Sequence, residues 1–195
     1  MAHFLRDQKI TNLSVTEDNL TQISSTFADR AVVLNANIPE NDATGKRAIL
    51  SYVVRFDDKG YRVFSVDALL RHFRQATTVE RVLFTVETGE SLRSSRQTGA
   101  FMELRLDEKD PNTCFLSVTS DDNDWVDASF SAVQDTLIWL AAVNRARGIL
   151  PFAAWWRGSN PTGDAAGTAV ATVDQADIRA LDSRKTVVRH GAASL

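Results

Sequence analysis

Cysteine occurs once in the 195 residues, as Cys114, so the chain can form no internal disulfide and no cysteine-based zinc site of its own. That suits a reducing compartment, and a cytoplasmic protein is expected. Nowhere do about 18 apolar residues run without a charge. The first residues, MAHFLRDQKITNLSVTEDNL, carry no apolar core after a basic start. Neither a membrane span nor a secretion signal is therefore expected. An excess of one charge is lacking too: 25 acidic against 22 basic residues leave a net charge of −3 and a pI of about 5.6. This balance opposes non-specific attraction to nucleic acid or anionic lipid.

Catalytic and cofactor motifs are equally scarce. No G-x-S-x-G elbow occurs. The segment TGKRA (Thr44–Ala48) lacks the earlier glycine of a phosphate loop, since Glu40 stands there, and Arg47 replaces the required serine or threonine. His3, His72 and His190 fall on a terminus, a helix and a tail, which argues against a shared metal or general base, and His72 is expected on the surface. The acidic run Asp121, Asp122, Asn123, Asp124 and Asp127 lacks the glycine and glutamate of a calcium loop and is better read as helix capping. No cofactor, no metal and no catalytic residue are expected.

What the chain does carry is periodicity. With 44% hydrophobic and 24% charged residues, it has enough apolar surface for one globular core. Thr16 followed by Glu17 and Asp18, with Leu20, Ile23 and Phe27 at helical spacing, predicts a first helix. The β-branched stretch AVVLNANI (Ala31–Ile38) predicts a strand. Alternation in ILSYVVRF and the turn residues Asp57-Asp58-Lys59-Gly60 predict a hairpin. Ser65 caps a short amphipathic helix with Val66, Leu69, Leu70 and Phe73 on one stripe.

Three more strands are predicted in Val79–Glu87, Phe101–Glu108 and Thr113–Ser120, the last two joined by a turn at Lys109–Asn112. Within the second, Met102, Leu104 and Leu106 alternate with Glu103, Arg105 and Asp107, as in a sheet with one wet face. Cys114 falls in register with Leu116 and Val118 and is expected in the core. A long helix from Asp124, with Val126, Phe130, Val133, Leu137 and Leu140 on one face, is the strongest pattern in the chain.

Adjacent strands without intervening helices predict an α+β fold. Its antiparallel sheet has five to six strands, a short helix lies between strands, and a long C-terminal helix crosses one face. The order of elements is similar to the layout of type III secretion chaperones and related small bacterial regulators, a likeness of layout that no residue motif carries. Residues 1–158 are expected to form this domain, and 159–195, rich in Gly, Ala, Thr and Asp, a tail that is largely flexible or ordered by a partner.

Two candidate sites remain. In RARGILPFAAWWRG, Phe152, Trp155 and Trp156 are of the types that anchor protein interfaces. In GESLRSSRQTG (89–99), Arg93, Ser94, Ser95 and Arg96 could grip a phosphate-bearing ligand together with Arg71 and Arg74 on the short helix. A solvated connection between strands is the simpler reading of that loop. The chain is expected to be a non-enzymatic interaction module, an adaptor or chaperone-like complex subunit that binds itself or another protein through one sheet face or edge together with the long helix and the Phe152–Trp156 segment. Binding of an anionic small ligand is the alternative.

Overall fold

The computed structural model describes residues 3–11, 15–36, 38–42 and 44–147. In chain order these form β1 (Phe4–Lys9), α1 (Glu17–Asn35), β2 (Ala48–Phe56), β3 (Lys59–Val63), α2 (Val66–Gln75), β4 (Val79–Thr88), α3 (Gly89–Arg93), β5 (Phe101–Asp107), β6 (Phe115–Ser120) and α4 (Asn123–Ala146). A 3₁₀ turn at Pro111–Thr113 joins β5 to β6. The expected α+β architecture holds: six strands pair antiparallel throughout, in the order β1-β6-β5-β4-β2-β3.

The alternation in each strand decides what the sheet does. Val82, Phe84 and Val86 of β4, Met102, Leu104 and Leu106 of β5, and Leu116 and Val118 of β6 point to one side and are buried there. Leu20, Ile23 and Phe27 of α1, Leu69 of α2, and Val126, Phe130, Val133, Leu137 and Leu140 of α4 meet them from the helix layer. Burial of these side chains, worth roughly 1.5–3 kcal/mol each, is the main force holding the layers together. Cys114 lies in this core as expected, its Sγ against the backbone of Asp107.

Local signals act where the sequence puts them. Asp57 and Asp58 both adopt left-handed φ (48° and 61°) between Phe56 and Lys59, the two-residue turn whose twist matches a hairpin. Thr16 and Ser65 cap α1 and α2. The long helix is capped by Asp122 instead of Asp124: its carboxylate accepts from the amides of Asp124 and Trp125.

Three elements depart from the sequence expectation. The strand expected from Ala31 is the end of α1, because Phe27, Ala31 and Leu34 continue the helical stripe toward the core while Val32 and Val33 face solvent. Asn35 then closes the helix onto β2, its amide donating to the Ala48 carbonyl and accepting from the Ala48 amide. β1 has no alternation of its own; six consecutive pairs to β6 make it a strand. The 89–99 connection opens with the single helical turn α3, capped by Thr88. It then reverses through left-handed Ser95, Arg96 and Gly99.

Gly99 has φ +81, and a Cβ there would lie 2.7 Å from Thr88 Oγ1 and 2.8 Å from the Ser91 amide nitrogen. Gly99→Ala should therefore lose about 2 kcal/mol or more through backbone strain and the clash. Gly60→Ala, where an added Cβ would meet nothing within 4 Å, is the control. Urea midpoints of the two variants check this.

Candidate functional site

Every described helix that packs on the sheet does so from the side just described. On the opposite face, no described element covers the strands. The pairing registers lay this face out in rows. Leu5, Thr119, Phe101, Glu87 and Ile49 form one, and Asp7, Ser117, Glu103, Thr85 and Ser51 the next. Lys9, Phe115, Arg105, Leu83, Val53 and Arg62 form the third, and Asp107, Arg81, Arg55 and Gly60 the fourth.

Ionic clusters occupy the two ends. At the first, the turn after α3 swings Arg96 over the sheet, its guanidinium 3.7 Å from the centre of the Phe101 ring. It donates to Glu87 Oε1 at 3.4 Å and stands 3.9 Å from Glu103 Oε2. Burial pushes the Glu103 carboxyl above the usual carboxylate range, and nearby Glu87 adds to this; Arg96 and Arg105 pull the other way. Phe101 is buried beneath Arg96 although it faces away from the core.

At the far end, burial alone would raise the Asp107 carboxyl. Arg105 Nη2 at 2.9 Å, the Asp110 amide at 3.0 Å and Arg81 Nε at 2.6 Å outweigh it and hold the group down at about 2. Beside it a bulge inserts Glu80 between the pairs Arg55↔Arg81 and Phe56↔Val79. Its carboxylate accepts from Lys109 at 2.7 Å and Arg55 at 3.0 Å. Hydrogen bonding from Lys109 leads the effects that lower its pKa.

Between the clusters, Val53, Leu83 and Phe115 are half-buried, and Leu5, Ile49 and Phe64 are exposed at the margins. Toward the β1 margin the surface dips into a shallow groove of about 400 Å³, walled by Leu5 and Phe115 with Asp7, Lys9, Asn112 and Ser117 around it. An apolar band framed by fixed charges suits recognition of a polypeptide surface. It offers no nucleophile paired with a base. The one thiol, Cys114, is pushed up by burial. Among the described residues, no group of three His, Cys, Asp or Glu side chains is placed to hold a metal ion. None of the described helices is long and apolar enough to cross a membrane.

The residues proposed for an anion site are not brought together. His72 of α2 stacks on Tyr61 at 4.4 Å and approaches Phe56 at 6.2 Å, which puts the end of α2 beside the last residue of β2. α3 begins beyond Thr88, which pairs with the first residue of β2. The eight steps of β2 between them span roughly 26 Å. Four of the six have partners of their own. Arg74 forms a two-pronged pair with Glu17, Arg93 donates to the Thr44 carbonyl, and Arg96 pairs with Glu87. Ser94 ties its own loop through Thr98, Ser95 sits exposed at the left-handed turn, and Arg71 is exposed on α2. His72, expected on the surface, is half-buried in the aromatic stack.

The acidic run is spent on structure. Asp121 accepts from the Gly99 amide and pairs with His3, Asp122 caps α4, and Asp127 pairs with Arg6. Phe152, Trp155 and Trp156 lie outside the described residues, as do His190 and the 159–195 tail. The sequence points to a sheet face or edge as part of the contact surface but not to the residues that make up the helix-free face. Their only signal was the polar half of the alternation in β5.

Compared with known proteins, the chain matches no family model, no curated protein and no solved structure. The described residues define an α+β domain whose antiparallel sheet has one face that no described helix covers.

Proposed function

We propose that this chain is a non-enzymatic protein-interaction module of the cytoplasm, an adaptor or chaperone-like subunit that associates with itself or with another protein. The helix-free face of the sheet is the contact surface, with the Phe152–Trp156 segment contributing aromatic anchors. What carries the reading is the band Ile49, Val53, Leu83 and Phe115 on a face that no described element covers. Fixed Arg–carboxylate clusters around an apolar strip supply charge complementarity and register at little further ordering cost. A protein partner is favoured over nucleic acid because Arg55, Arg81, Arg96 and Arg105 of this face are paired with Asp107, Glu80, Glu87 and Glu103, and the chain is acidic.

Light scattering after size exclusion, over a range of concentrations, tests self-association; pull-down tests a second protein. Ile49→Asp places a charge at an exposed position, so it should fold normally and weaken association by about thirtyfold, the effect of losing one anchor of 2 kcal/mol. A strict monomer that retains no partner, or a complex indifferent to Ile49→Asp, would count against this reading.

A further inference from the structure

The sheet ends at β1, and among the described residues no strand lies beyond it. Half of its backbone hydrogen-bonding capacity is used. The Ile10 amide donates to the Cys114 carbonyl, so in the β1–β6 register the N–H and C=O groups of Phe4, Arg6 and Gln8 also turn toward β6. Those of Leu5, Asp7 and Lys9 point outward from the sheet. Six pairs run without a bulge and the strand holds no proline, so two of the devices that blunt an edge are missing. Leu5 is 60% and Phe4 37% exposed along this open ladder.

The edge is complementary to itself. Asp7 and Lys9 are exposed on the helix-free face, and uncharged Gln8 lies between them on the helix side. A second copy turned about a two-fold axis through Gln8 pairs antiparallel, with Asp7 of each copy directly opposite Lys9 of the other. Both belong to the outward-bonding set, so the same register joins the free N–H and C=O groups. An axis through Arg6, Asp7 or Lys9 would instead set like charges face to face.

The helix layer fits the same axis. Asp127, Gln134, Ile138 and Arg145 follow at seven, four and seven residues, which puts them on one flank of α4. That flank lies on the β1 side: Asp127 pairs with Arg6 at 2.8 Å, and Gln134 hydrogen-bonds Gln8 at 3.2 Å. Ile138 on it is 61% exposed. α4 packs on both β1 and β6, so strands about 4.8 Å apart bring the two copies of α4 to roughly 10 Å, the spacing of packed helices. The axis makes them antiparallel. Centred between Gln134 and Ile138, it sets Ile138 against Gln134 and Arg145 against Asp127 of the other copy.

We propose that two copies of the chain pair edge to edge through β1, in one twelve-stranded sheet with the two α4 helices side by side. This goes beyond the proposed function, which concerns the helix-free face. Ile49 lies on β2, three strands from β1, so Ile49→Asp should leave this dimer intact. Either reading can therefore fail without the other.

Sedimentation of the full-length chain over a range of concentrations should show monomer and dimer in equilibrium. Asp7→Lys and Lys9→Asp, both at exposed positions, should each weaken the dimer by about tenfold, because the two-fold axis counts every change twice. Mixing the two variants one to one should restore dimers, and so should Asp7→Lys/Lys9→Asp in one chain. Hydrogen exchange at the amides of Leu5, Asp7 and Lys9 should slow as the concentration rises. A monomer at every concentration would overturn the proposal, as would single variants that dimerise as tightly as wild type. Slow exchange that is independent of concentration would reject it by assigning the edge to another part of the same chain. Dimers lost in Ile49→Asp but kept in Asp7→Lys would move the contact to the helix-free face.

Discussion

Phe84→Ala should lower the unfolding free energy by about 3–5 kcal/mol, the cost of emptying a fully buried aromatic site. Phe84 sits at the middle of β4 with no exposed surface. Its ring lies 5.5 Å from Phe27 of α1 and 5.7 Å from Tyr52 of β2, the latter edge-on. One side chain thus joins the helix layer to two adjacent strands, and the surrounding β-sheet is too constrained by its ladder to collapse into the void. Urea denaturation should show a lower midpoint at unchanged slope. Phe64→Ala is the contrast: that ring is 64% exposed, and its loss should change stability by no more than about 0.5 kcal/mol. Equal effects for the two would mean that the assignment of faces is wrong.

Asp107→Ala should cost about 3 kcal/mol, because it removes the acceptor shared by two arginines and a backbone amide. The carboxylate is 2% exposed, so solvent cannot replace it. Its pH dependence has a definite sign. The folded group titrates at about 2 and the unfolded group near 3.9. The stabilisation is therefore complete above about pH 4, is lost as pH falls toward 2, and amounts to roughly 2–3 kcal/mol. Asp107→Asn should flatten the acid limb of the stability curve in that window and leave the neutral region parallel to wild type. Asp42, held at about 2 by the Thr44 hydroxyl and amide, acts in the same window, so only the difference between the two proteins isolates Asp107. Glu103 runs the other way: its raised carboxyl is relieved by protonation as pH falls. An acid limb identical in both proteins would sink the Asp107 account.

The α+β class, the hairpin at Asp57–Asp58, the caps at Thr16 and Ser65 and the core stripe of α4 could be read in advance. Each is set by residues within one helical turn or one strand. The reading failed where local and tertiary signals disagreed. β-branched Val32 and Val33 argue for a strand, yet the core contact of Ala31 keeps α1 helical. Phe4–Lys9 shows no period, yet the open edge of β6 recruits it. Asp124 looked like the cap, but the capping contact is made by Asp122, whose side chain faces the first free amides.

The candidate surface follows the same division. Alternation in β5 announced a polar face, and that much belongs to the sequence alone, because successive strand residues must point to opposite sides. Which arginine meets which carboxylate depends on strand order and register. Arg96 crosses onto Glu87 only because the chain reverses after α3, and Glu80 meets Lys109 only because a bulge interrupts β4. Nor could sequence reveal that Arg71 and Arg74 lie a full strand length from Arg93 and Arg96. Periodicity determined the layers, since it acts residue by residue; the charged frame and the groove were decided by contacts between residues far apart in the chain, which only the folded sheet brings together.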